Sequence, residues 1–574
     1  MNSFRSKYAS FDAPREKMRK QKRKIAYFSM EVGIDPKIPT YSGGLGILAG
    51  DTIRSCADLS IPLIAVTMYY KKGYFTQRLE HDGTQKESPA EWNPRDVLRP
   101  LRKQVTVEIE GRKVYIRAWE YVIHGVDGYR IPIIFLDTDF EKNSEYDRSL
   151  CYCLYGRDDK YRLAQEIVLG IGGLRMIKAL GYVALNRCHM NEGHSSLLTL
   201  ELLKEKKRNG SGWDIEGVRK MCVFTTHTPV PAGHDQFSYD LVRSVLGDFL
   251  PIDLLKQVGG SEALNMTSLA LNLSHYVNGV AKEHGKVSRE MFPGYNISAI
   301  TNGIHSATWV CESFKRLYDE YMPGWKADPF SLRYALSIPK DSIWKAHQEA
   351  KRKMIDYVNQ TKQADLDCDT LTIGFARRAT AYKRMDLVFH DVQRLINISK
   401  NVGKIQLVFS GKAHPRDYQG KELIKKIVTI ANQTKDDIKI VYLDNYDMTL
   451  AKLLISGVDV WLNTPRKPQE ASGTSGMKAA HNGIPSFSVL DGWWIEGCIE
   501  GLTGWAVDSV QEKESNDYEN ARALYEKLEK EIVPKFYNDK NGWIDMMRHS
   551  IAINASFFNT HRMVQQYTLN AYLY

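Results

Sequence analysis

The sequence of 574 residues lacks any apolar segment long enough to cross a membrane. A membrane-spanning helix needs roughly 20 such residues, and residues 1–24 also lack the apolar stretch of a secretory signal. The eight cysteines include no Cys-x-x-Cys pair, and Cys151 and Cys153 are too close together for half of a zinc site. These features argue against a membrane protein and a disulfide scaffold. We therefore expect reduced thiols, no bound metal and, by default, a cytoplasmic location.

Charge of neither sign dominates the chain. Lysine and arginine number 78 and aspartate and glutamate 68, which leaves a net charge of +10 on a large surface. The densest basic run, residues 15–24, lies in a polar N-terminal extension that we expect to be solvated and not bound to nucleic acid or membrane. The small excess favours anionic ligands only weakly.

The order of predicted elements indicates an α/β protein. Short β-branched runs alternate with longer amphipathic segments, as in parallel sheets covered by helices. The chain is too long for one hydrophobic core. A regular alternation of strand and helix over residues 371–443, with a helix at residues 385–398, predicts a doubly wound domain. We predict two Rossmann-like doubly wound domains that face each other across a cleft.

The predicted boundaries divide the chain into four parts. Residues 1–24 form the basic extension, and residues 25–310 form the first domain. An antiparallel hairpin over residues 105–124 is predicted as an insertion in this domain, because two strand-like runs flank a Glu-Gly-Arg turn. Residues 311–555 form the second domain, and residues 556–574 are predicted to be a helix that packs back on the first.

A glycine-rich turn, Tyr41-Ser-Gly-Gly-Leu-Gly-Ile-Leu-Ala-Gly50, follows the first predicted strand and leads into a helix. Gly44, Gly46 and Ala49 match the dinucleotide-binding fingerprint. The acidic residue expected about 20 positions later is missing, since residues 69–72 are Tyr-Tyr-Lys-Lys, and this argues against NAD. Two interpretations remain: backbone N–H groups that face a polar or anionic ligand, or a purely structural turn.

Two further segments carry cations. Arg377-Arg-Ala-Thr-Ala-Tyr-Lys-Arg384 directly follows a predicted strand, at the sheet edge where α/β proteins bind ligands. Its four cations repel one another unless anions lie between them, so the segment suits two phosphates; a solvated loop is the alternative. Glu470-Ala-Ser-Gly-Thr-Ser-Gly-Met-Lys478 places a lysine after small residues that can enclose an anion. Its spacing differs from that of a nucleotide P-loop, and a capped surface turn is the alternative.

Histidines and aromatic residues follow other predicted strands. His227, His234 and Asp235 lie close together, but their spacing matches no common zinc pattern, so hydrogen bonding to a hydroxylated substrate is the preferred interpretation of the histidines. The sequences Asn-Glu-Gly-His and Thr-Asn-Gly, taken alone, are typical of turns. The pair Trp493 and Trp494 suits either a sugar ring or the protein core.

The order of these motifs resembles that of the α-glucan phosphorylases, the family of the glycogen, starch and maltodextrin phosphorylases. From residue 25 onwards the chain presents the glycine turn, Asn-Glu-Gly-His, Thr-His-Thr-Pro, Thr-Asn-Gly, Arg-Arg-x-x-x-Tyr-Lys-Arg and Glu-Ala-Ser-Gly-Thr-x-x-Met-Lys. The last two motifs are highly specific. The resemblance implies the GT-B fold, in which two Rossmann-like domains surround a deep cleft, and a homodimer.

The resemblance also implies a cofactor and a set of site residues. Lys478 would carry pyridoxal 5′-phosphate as a Schiff base, and the phosphate of this cofactor would exchange a proton with the substrate phosphate. Arg378, Lys383 and His227 would be catalytic with Lys478, the main-chain carbonyl of His227 by stabilising an oxocarbenium-like state. The implied cofactor-binding residues are Lys478, Ser472, Gly473, Thr474, Ser475, Lys383 and Arg377. The implied substrate-binding residues are Gly43, Gly44, Leu45, Asn302, Glu470, His194, Tyr382, Tyr446 and Glu31.

The implied reaction is reversible phosphorolysis of a terminal α-1,4-glucosidic bond, with retention, to give α-D-glucose 1-phosphate. Its partners are an α-1,4-glucan or maltodextrin and inorganic phosphate. A nucleotide-sugar-dependent glucosyltransferase of the glycogen synthase type shares the architecture but needs no Schiff-base lysine. A non-catalytic glucan-binding protein is a third alternative. Thr380 stands where the large animal and plant phosphorylases have histidine, so contacts in that loop are expected to differ.

Overall fold

A computed structural model describes residues 22–156, 158–207, 212–508 and 516–573. Most of the predicted N-terminal extension, with the greater part of its basic run, lies outside the described residues. The chain is a mixed α/β protein with two large sheets of mainly parallel strands, and to this extent the predicted fold class is confirmed. None of the described helices is both long enough and apolar enough to cross a membrane.

The first sheet is formed by strands that precede residue 300. The strands of this part of the chain are β1 (Ile25–Ser29), β2 (Leu63–Met68), β3 (Thr76–Leu79), β4 (Gln85–Ser88), β5 (Arg99–Ile109), β6 (Arg112–His124), β7 (Arg130–Asp137), β8 (Arg187–Asn191), β9 (Cys222–Thr225), β10 (Gln236–Ser238), β11 (Ala263–Asn265), β12 (Tyr276–Gly279) and β13 (Ser298–Ala299). The nine-stranded sheet has the order β13-β12-β9-β8-β1-β2-β7-β6-β5. The strands β5 and β6 form the predicted antiparallel hairpin, which extends the sheet beyond β7.

The second sheet consists of six parallel strands. They are β14 (Leu371–Ala376), β15 (Ile405–Ser410), β16 (Lys439–Leu443), β17 (Val460–Asn463), β18 (Ser486–Ser488) and β19 (Gly504–Ala506), in the order β16-β15-β14-β17-β18-β19. Counted along the chain, this order is 3-2-1-4-5-6, and the parallel strands of the first sheet follow the same scheme with one strand more. In sheets of this order, ligands bind at the carboxyl ends of the strands, near the point where the strand order reverses.

Helices connect most of the strands. Those before residue 310 are α1 (Gly44–Asp58), α2 (Glu145–Ser149), α3 (Asp159–Ile167), α4 (Gly173–Ala179), α5 (Leu198–Lys206), α6 (Ile215–Arg219), α7 (Tyr239–Leu246), α8 (Ile252–Gly259), α9 (Met266–Asn272), α10 (Lys282–Met291) and α11 (Ser306–Trp309). The others are α12 (Glu312–Tyr321), α13 (Lys340–Lys362), α14 (Val392–Asn401), α15 (Tyr418–Gln433), α16 (Met448–Gly457), α17 (Thr474–Ala480), α18 (Trp494–Gly497), α19 (Asp517–Lys527), α20 (Val533–Asn538), α21 (Lys540–His549) and α22 (Thr560–Tyr567).

One predicted helix is misplaced. Residues 385–398 were predicted to be a single helix, but the chain first forms a short 3-10 turn, Leu387–Phe389, and α14 begins only after it. The reason is a cap: the Asp391 side chain accepts a hydrogen bond from the Arg394 N–H (2.9 Å) and so fixes the start of α14.

The last helix completes the core beneath the first sheet. Met563 and Tyr567 of α22, with Tyr572 after it, are buried among the side chains of the first sheet. The Tyr567 hydroxyl is 3.0 Å from Thr225 Oγ1 and accepts a hydrogen bond from Asn278 Nδ2 (2.9 Å). The end of the chain is therefore joined by polar and apolar contacts to strands β9 and β12.

A buried cluster of ionisable side chains connects α13 to the second sheet. Asp459, just before β17, accepts hydrogen bonds from Lys351 Nζ (2.6 Å), from the Thr372 N–H (2.7 Å) and from His347 Nε2 (2.8 Å). The ionisable side chains of this cluster are fully buried. Burial alone would raise the pKa of Asp459, but the charge of Lys351 and the bond from His347 lower it, so the carboxylate is ionised.

We expect Asp459→Asn to destabilise the chain by about 3–5 kcal/mol, because it leaves the Lys351 ammonium buried without a counter-charge. The measurement is the midpoint of thermal unfolding, which should fall by several degrees. Asp444→Asn is the control, since its ion pair with Lys362 (2.9 Å) is partly exposed and contributes less than about 1 kcal/mol. Equal midpoints for the two variants would contradict this role of the buried cluster.

Candidate active site

A cavity of about 540 Å³ lies between the carboxyl ends of the two sheets. Its lining includes residues that follow β1, β8 and β9 of the first sheet and β14, β15 and β16 of the second. This is the edge where Rossmann-type sheets bind ligands. Every residue to which the resemblance assigned a catalytic, cofactor-binding or substrate-binding role forms part of this lining.

The glycine turn is held in place by Glu31, which follows β1. Its Oε2 accepts hydrogen bonds from the backbone N–H groups of Ser42 (2.5 Å) and Gly43 (3.2 Å). Its Oε1 accepts a hydrogen bond from the Tyr155 hydroxyl (2.8 Å). One carboxylate thus fixes the backbone immediately before α1 and links it to the loop before α3.

The glycines of the turn have two different roles. A Cβ on Gly46 would lie 2.7 Å from the Glu31 carboxylate, so packing requires a glycine at this position. A Cβ on Gly43 or Gly44 would meet no atom within 4 Å, because both α-carbons face open space. Glycine at these two positions leaves the backbone accessible from the cavity, and a side chain there would occupy cavity volume.

Glu192, which follows β8, orients the end of the neighbouring strand. It has a φ of +74°, a strained value for a residue other than glycine and one often found at functional sites. Its Oε2 accepts hydrogen bonds from the His227 N–H (2.7 Å) and from the Thr228 hydroxyl (3.0 Å). Burial lowers the pKa of His227 to about 3, so the imidazole is neutral and bonds Asn191 Oδ1 through Nε2 (2.7 Å).

Lys478 lies in α17 with a buried side chain. Its Nζ is 3.8 Å from the centroid of the Trp309 ring and, among the described residues, makes no hydrogen bond or ion pair. Burial lowers the pKa of this lysine to about 8, so a large fraction of the amine is neutral near pH 8. A neutral amine is a nucleophile towards a carbonyl carbon. The site therefore suits a lysine that condenses with an aldehyde.

Cations dominate the wall formed after β14. Arg377 Nη2 and Lys383 Nζ both bond Oε2 of Glu470, at 2.6 and 2.5 Å. Burial would raise the pKa of Glu470, but the two cations lower it to about 2, so the carboxylate is ionised. The Arg378 guanidinium lines the same cavity and has no carboxylate partner within the described parts of the chain. Three cations beside one carboxylate leave excess positive charge that suits a phosphate.

Several polar atoms of the lining are buried without a hydrogen-bond partner in the described structure. They include Asn302 Oδ1, His194 Nδ1 and two nitrogens of Arg377. The other end of the Asn302 amide donates a hydrogen bond to Ser472 Oγ (3.1 Å), which fixes its orientation. Buried polar atoms in proteins are normally hydrogen-bonded. A ligand with many hydroxyl groups would satisfy them, because a hydroxyl both donates and accepts.

Comparison with known families matches residues 34–120 and 252–525 to the carbohydrate phosphorylases. The chain belongs to the carbohydrate phosphorylase family. A maltodextrin phosphorylase of Thermococcus litoralis is 40% identical over 95% of this chain and 70% of that protein. A glycogen phosphorylase of Aquifex aeolicus is 36% identical over 95% of this chain and 85% of that protein. An uncharacterized protein of Methanocaldococcus jannaschii is 32% identical over 95% of this chain and 99% of its own length. The family predicted from the order of motifs is thereby confirmed.

Trp493 and Trp494, for which contact with a sugar ring and packing in the core were both open, belong to the core in this member of the phosphorylase family. Trp493 and Trp494 are buried, and a Cβ on Gly476 would lie 2.7 Å from the Trp493 ring. The ring therefore packs against the helix that carries Lys478. Asp235 is ion-paired with Arg162 (2.9 Å) and is thus part of a protein network behind the cavity.

Sequence reasoning missed several residues of the lining of this phosphorylase-family cavity, among them Glu192, Trp309, Tyr155 and Lys412. Glu192 lies in the Asn-Glu-Gly-His motif, where its carboxylate could have indicated a functional residue. Trp309, Tyr155 and Lys412 carry no local motif, because only the fold brings them to the cavity. Burial lowers the pKa of Lys412 to about 8, and its amine donates a hydrogen bond to the Phe75 carbonyl (2.9 Å).

We expect Glu31→Gln to loosen the glycine turn. Glutamine has the same shape but no negative charge, so in either orientation of its amide the hydrogen bonds of the Ser42 and Gly43 N–H groups are weaker than those to the carboxylate. Hydrogen exchange of peptides that contain Ser42 and Gly43 should accelerate about tenfold, which corresponds to about 1.4 kcal/mol. Glu108→Gln, on the exposed side of β5, is the control and should leave this exchange unchanged. Identical exchange in both variants would contradict the role of Glu31.

Proposed function

We propose that this chain catalyses the reversible phosphorolysis of terminal α-1,4-glucosidic bonds of glucans, with retention, and releases α-D-glucose 1-phosphate. The observation that carries this proposal is the meeting, in one cavity, of the unpaired amine of Lys478 and the cations that surround Glu470. An aldehyde-reactive lysine beside a site for phosphate is what this chemistry requires. Relatives named maltodextrin and glycogen phosphorylases support a glucan as substrate.

The proposed architecture is the GT-B arrangement. A Rossmann-like domain of residues 25–310 binds the glucan, a second of residues 311–555 holds the cofactor, and residues 556–574 return to the first. The strand orders of the two sheets and the cavity at their carboxyl ends support this division. The proposed partners are an α-glucan and inorganic phosphate, and we retain the expectation of a homodimer.

Pyridoxal 5′-phosphate fits the residues of this site. The neutral amine of Lys478 would hold its carbonyl carbon, and Ser472, Gly473 and Thr474 border the same space. Gly473 has a φ of +85°, which lets the chain turn into α17 without a side chain in that space. When bound, the cofactor supplies a phosphate that acts as acid and base beside the substrate phosphate. The residues proposed to surround it with Lys478 are Ser472, Gly473, Thr474, Ser475, Lys383 and Arg377.

The residues of the chain bind and orient the reactants. Arg378 and Lys383 hold the substrate phosphate, and their charge offsets the repulsion between two nearby phosphates. Glu192 fixes the backbone of His227 by accepting a hydrogen bond from its N–H. The main-chain carbonyl of His227 presents its negative end to the oxocarbenium-like carbon. Hydroxyl groups of the glucosyl unit bond the unpaired atoms of the lining. The residues proposed to contact the substrate are Gly43, Gly44, Leu45, Asn302, Glu470, His194, Tyr382, Tyr446 and Glu31.

A second cavity of about 430 Å³ adjoins the first and extends the space for a glucan. The two share Tyr446, and the second adds the aromatic side chains of Tyr74, Phe75 and Trp92. Aromatic faces provide flat apolar surfaces that suit sugar rings. We infer that the glucan chain leaves the reacting position in this direction.

We expect the purified chain to release glucose 1-phosphate from maltodextrins in the presence of inorganic phosphate. Lys478→Ala should abolish the absorbance of the bound cofactor and nearly all phosphorolysis, because it removes the amine that would hold the cofactor. Lys452→Ala is the matched control, since its amine lies on the same indole of Trp309, at 5.9 Å, outside the cavity lining. Full phosphorolysis by Lys478→Ala, or glucose transfer from a nucleotide sugar without pyridoxal on the wild-type chain, would refute the assignment.

We expect the uptake of pyridoxal phosphate by the cofactor-free chain to depend on pH with a midpoint near 8. The reactive form of Lys478 is the neutral amine, so uptake should accelerate as the pH rises through about 8 and slow below it. The charge of Asp51 raises the pKa of Lys478, so Asp51→Asn should move the midpoint to lower pH. The absorbance change on mixing reports the rate. Asp444→Asn, whose carboxylate is paired with Lys362 and does not contribute to the shift of Lys478, should leave the midpoint in place, and equal midpoints in both variants would contradict this account.

A further inference from the structure

Three potential metal ligands from distant parts of the chain converge outside the cavity. Asp58 is the last residue of α1, His305 directly precedes α11, and His561 lies in the first turn of α22. Their ligand atoms all lie within 4.8 Å of one another. The three side chains are more than nine-tenths buried. No short spacing links the three residues, so sequence patterns alone do not predict a metal here.

The distances in this cluster suit a small divalent cation. Asp58 Oδ2 is 2.8 Å from His305 Nε2 and 3.5 Å from His561 Nε2. A tetrahedral zinc shell has metal–ligand distances of about 2.0–2.2 Å, so neighbouring ligand atoms lie roughly 3.3–3.5 Å apart. The two distances to Asp58 bracket this spacing, and the two imidazole nitrogens lie within 4.8 Å of each other. The two imidazole rings are nearly parallel, with centroids 5.9 Å apart.

Each ligand is held through its other polar atom. Asp58 Oδ1 accepts a hydrogen bond from the Val126 N–H (2.9 Å). His305 Nδ1 lies 2.6 Å from Thr308 Oγ1, and His561 Nδ1 lies 3.2 Å from Ser55 Oγ. Metal-binding histidines are usually oriented in this way, with one nitrogen on the metal and the other bonded to a protein acceptor. When a metal binds, the His305 proton that bonds the Asp58 carboxylate would move to Nδ1, so that the two hydroxyls accept the Nδ1 protons and both Nε2 lone pairs face the ion.

One of these atoms has no hydrogen-bond partner in the described structure. Nε2 of His561 is buried and makes no hydrogen bond, although it faces the Asp58 carboxylate. Asp58 Oδ2 already accepts a hydrogen bond from Nε2 of the nearer histidine, His305 (2.8 Å). This nitrogen is therefore available as a metal ligand. An orphaned buried nitrogen needs an explanation that hydrogen bonding within the cluster does not provide.

We propose that Asp58, His305 and His561 bind one divalent transition-metal ion of the zinc type, with a water molecule as a further ligand. Two imidazole nitrogens and one carboxylate oxygen are a donor set that zinc accepts. The ion would join the end of α1 to the start of α22. Asp58, His305 and His561 are not part of the cavity lining, so we assign the ion a structural role.

The test is a zinc titration of the full chain, purified without a histidine tag and stripped with a chelator. We expect one zinc ion per chain by elemental analysis after dialysis, and a rise in the midpoint of thermal unfolding when zinc is added. His305→Gln and His561→Gln should each weaken zinc binding at least tenfold and abolish the thermal shift. His81→Gln, an exposed histidine in the turn between β3 and β4, is the matched control and should behave as the wild type.

Cobalt distinguishes this site from zinc held by cysteines. Cobalt bound at Asp58, His305 and His561 should give the visible absorption of a nitrogen and oxygen shell, without a sulfur-to-metal charge-transfer band. This measurement needs only the wild-type chain, so it decides the question even if a variant does not fold. The proposal is overturned if the wild-type chain retains no zinc, if both histidine variants retain it fully, or if the cobalt spectrum shows thiolate ligands.

Discussion

The burial of positive charge without matching negative charge is the constraint on which this site depends. Lys478 has a buried amine against an indole ring, and Arg378 faces the cavity with no carboxylate partner among the residues that the structure describes. Such groups are unfavourable in an empty protein interior and become favourable when an anion or a reactive carbonyl meets them. The folding free energy of the surrounding structure offsets this unfavourable burial of charge. The two parallel sheets, fastened by fully buried contacts such as the cluster at Asp459, provide that support.

Much of the site could be predicted from the sequence because chemistry in this fold follows strand ends. A buried apolar strand is visible as a short β-branched run, and the polar residues after it lie at one edge of the sheet. The segments after β1, β9 and β14 were found in this way, and all border the same cavity. The alternation of strands and helices gave the α/β class for the same reason.

Other parts of the structure could not be predicted from short sequence patterns. The start of α14 depends on a side-chain cap at Asp391, which competes with a continuous apolar pattern. The contact between Lys478 and Trp309 joins residues far apart in the chain, and the support that Glu31 gives to the glycine turn requires the folded geometry. Pairings of this kind depend on tertiary structure, which periodicity and spacing do not encode.

Because α22 contributes side chains to the core of the first sheet, this core can be completed only after α22 has been synthesised. Strands β1 to β13 emerge from the ribosome early, yet Met563, Tyr567 and Tyr572, which belong to the same core, are synthesised only after the whole second sheet. Until then the polar groups of Thr225 and Asn278 lack the hydroxyl that they bond in the finished protein. Domains often fold during translation from the N-terminus onwards. Here the core of the first sheet stays incomplete until α22 has left the ribosome, so the nascent sheet exposes apolar surface until then.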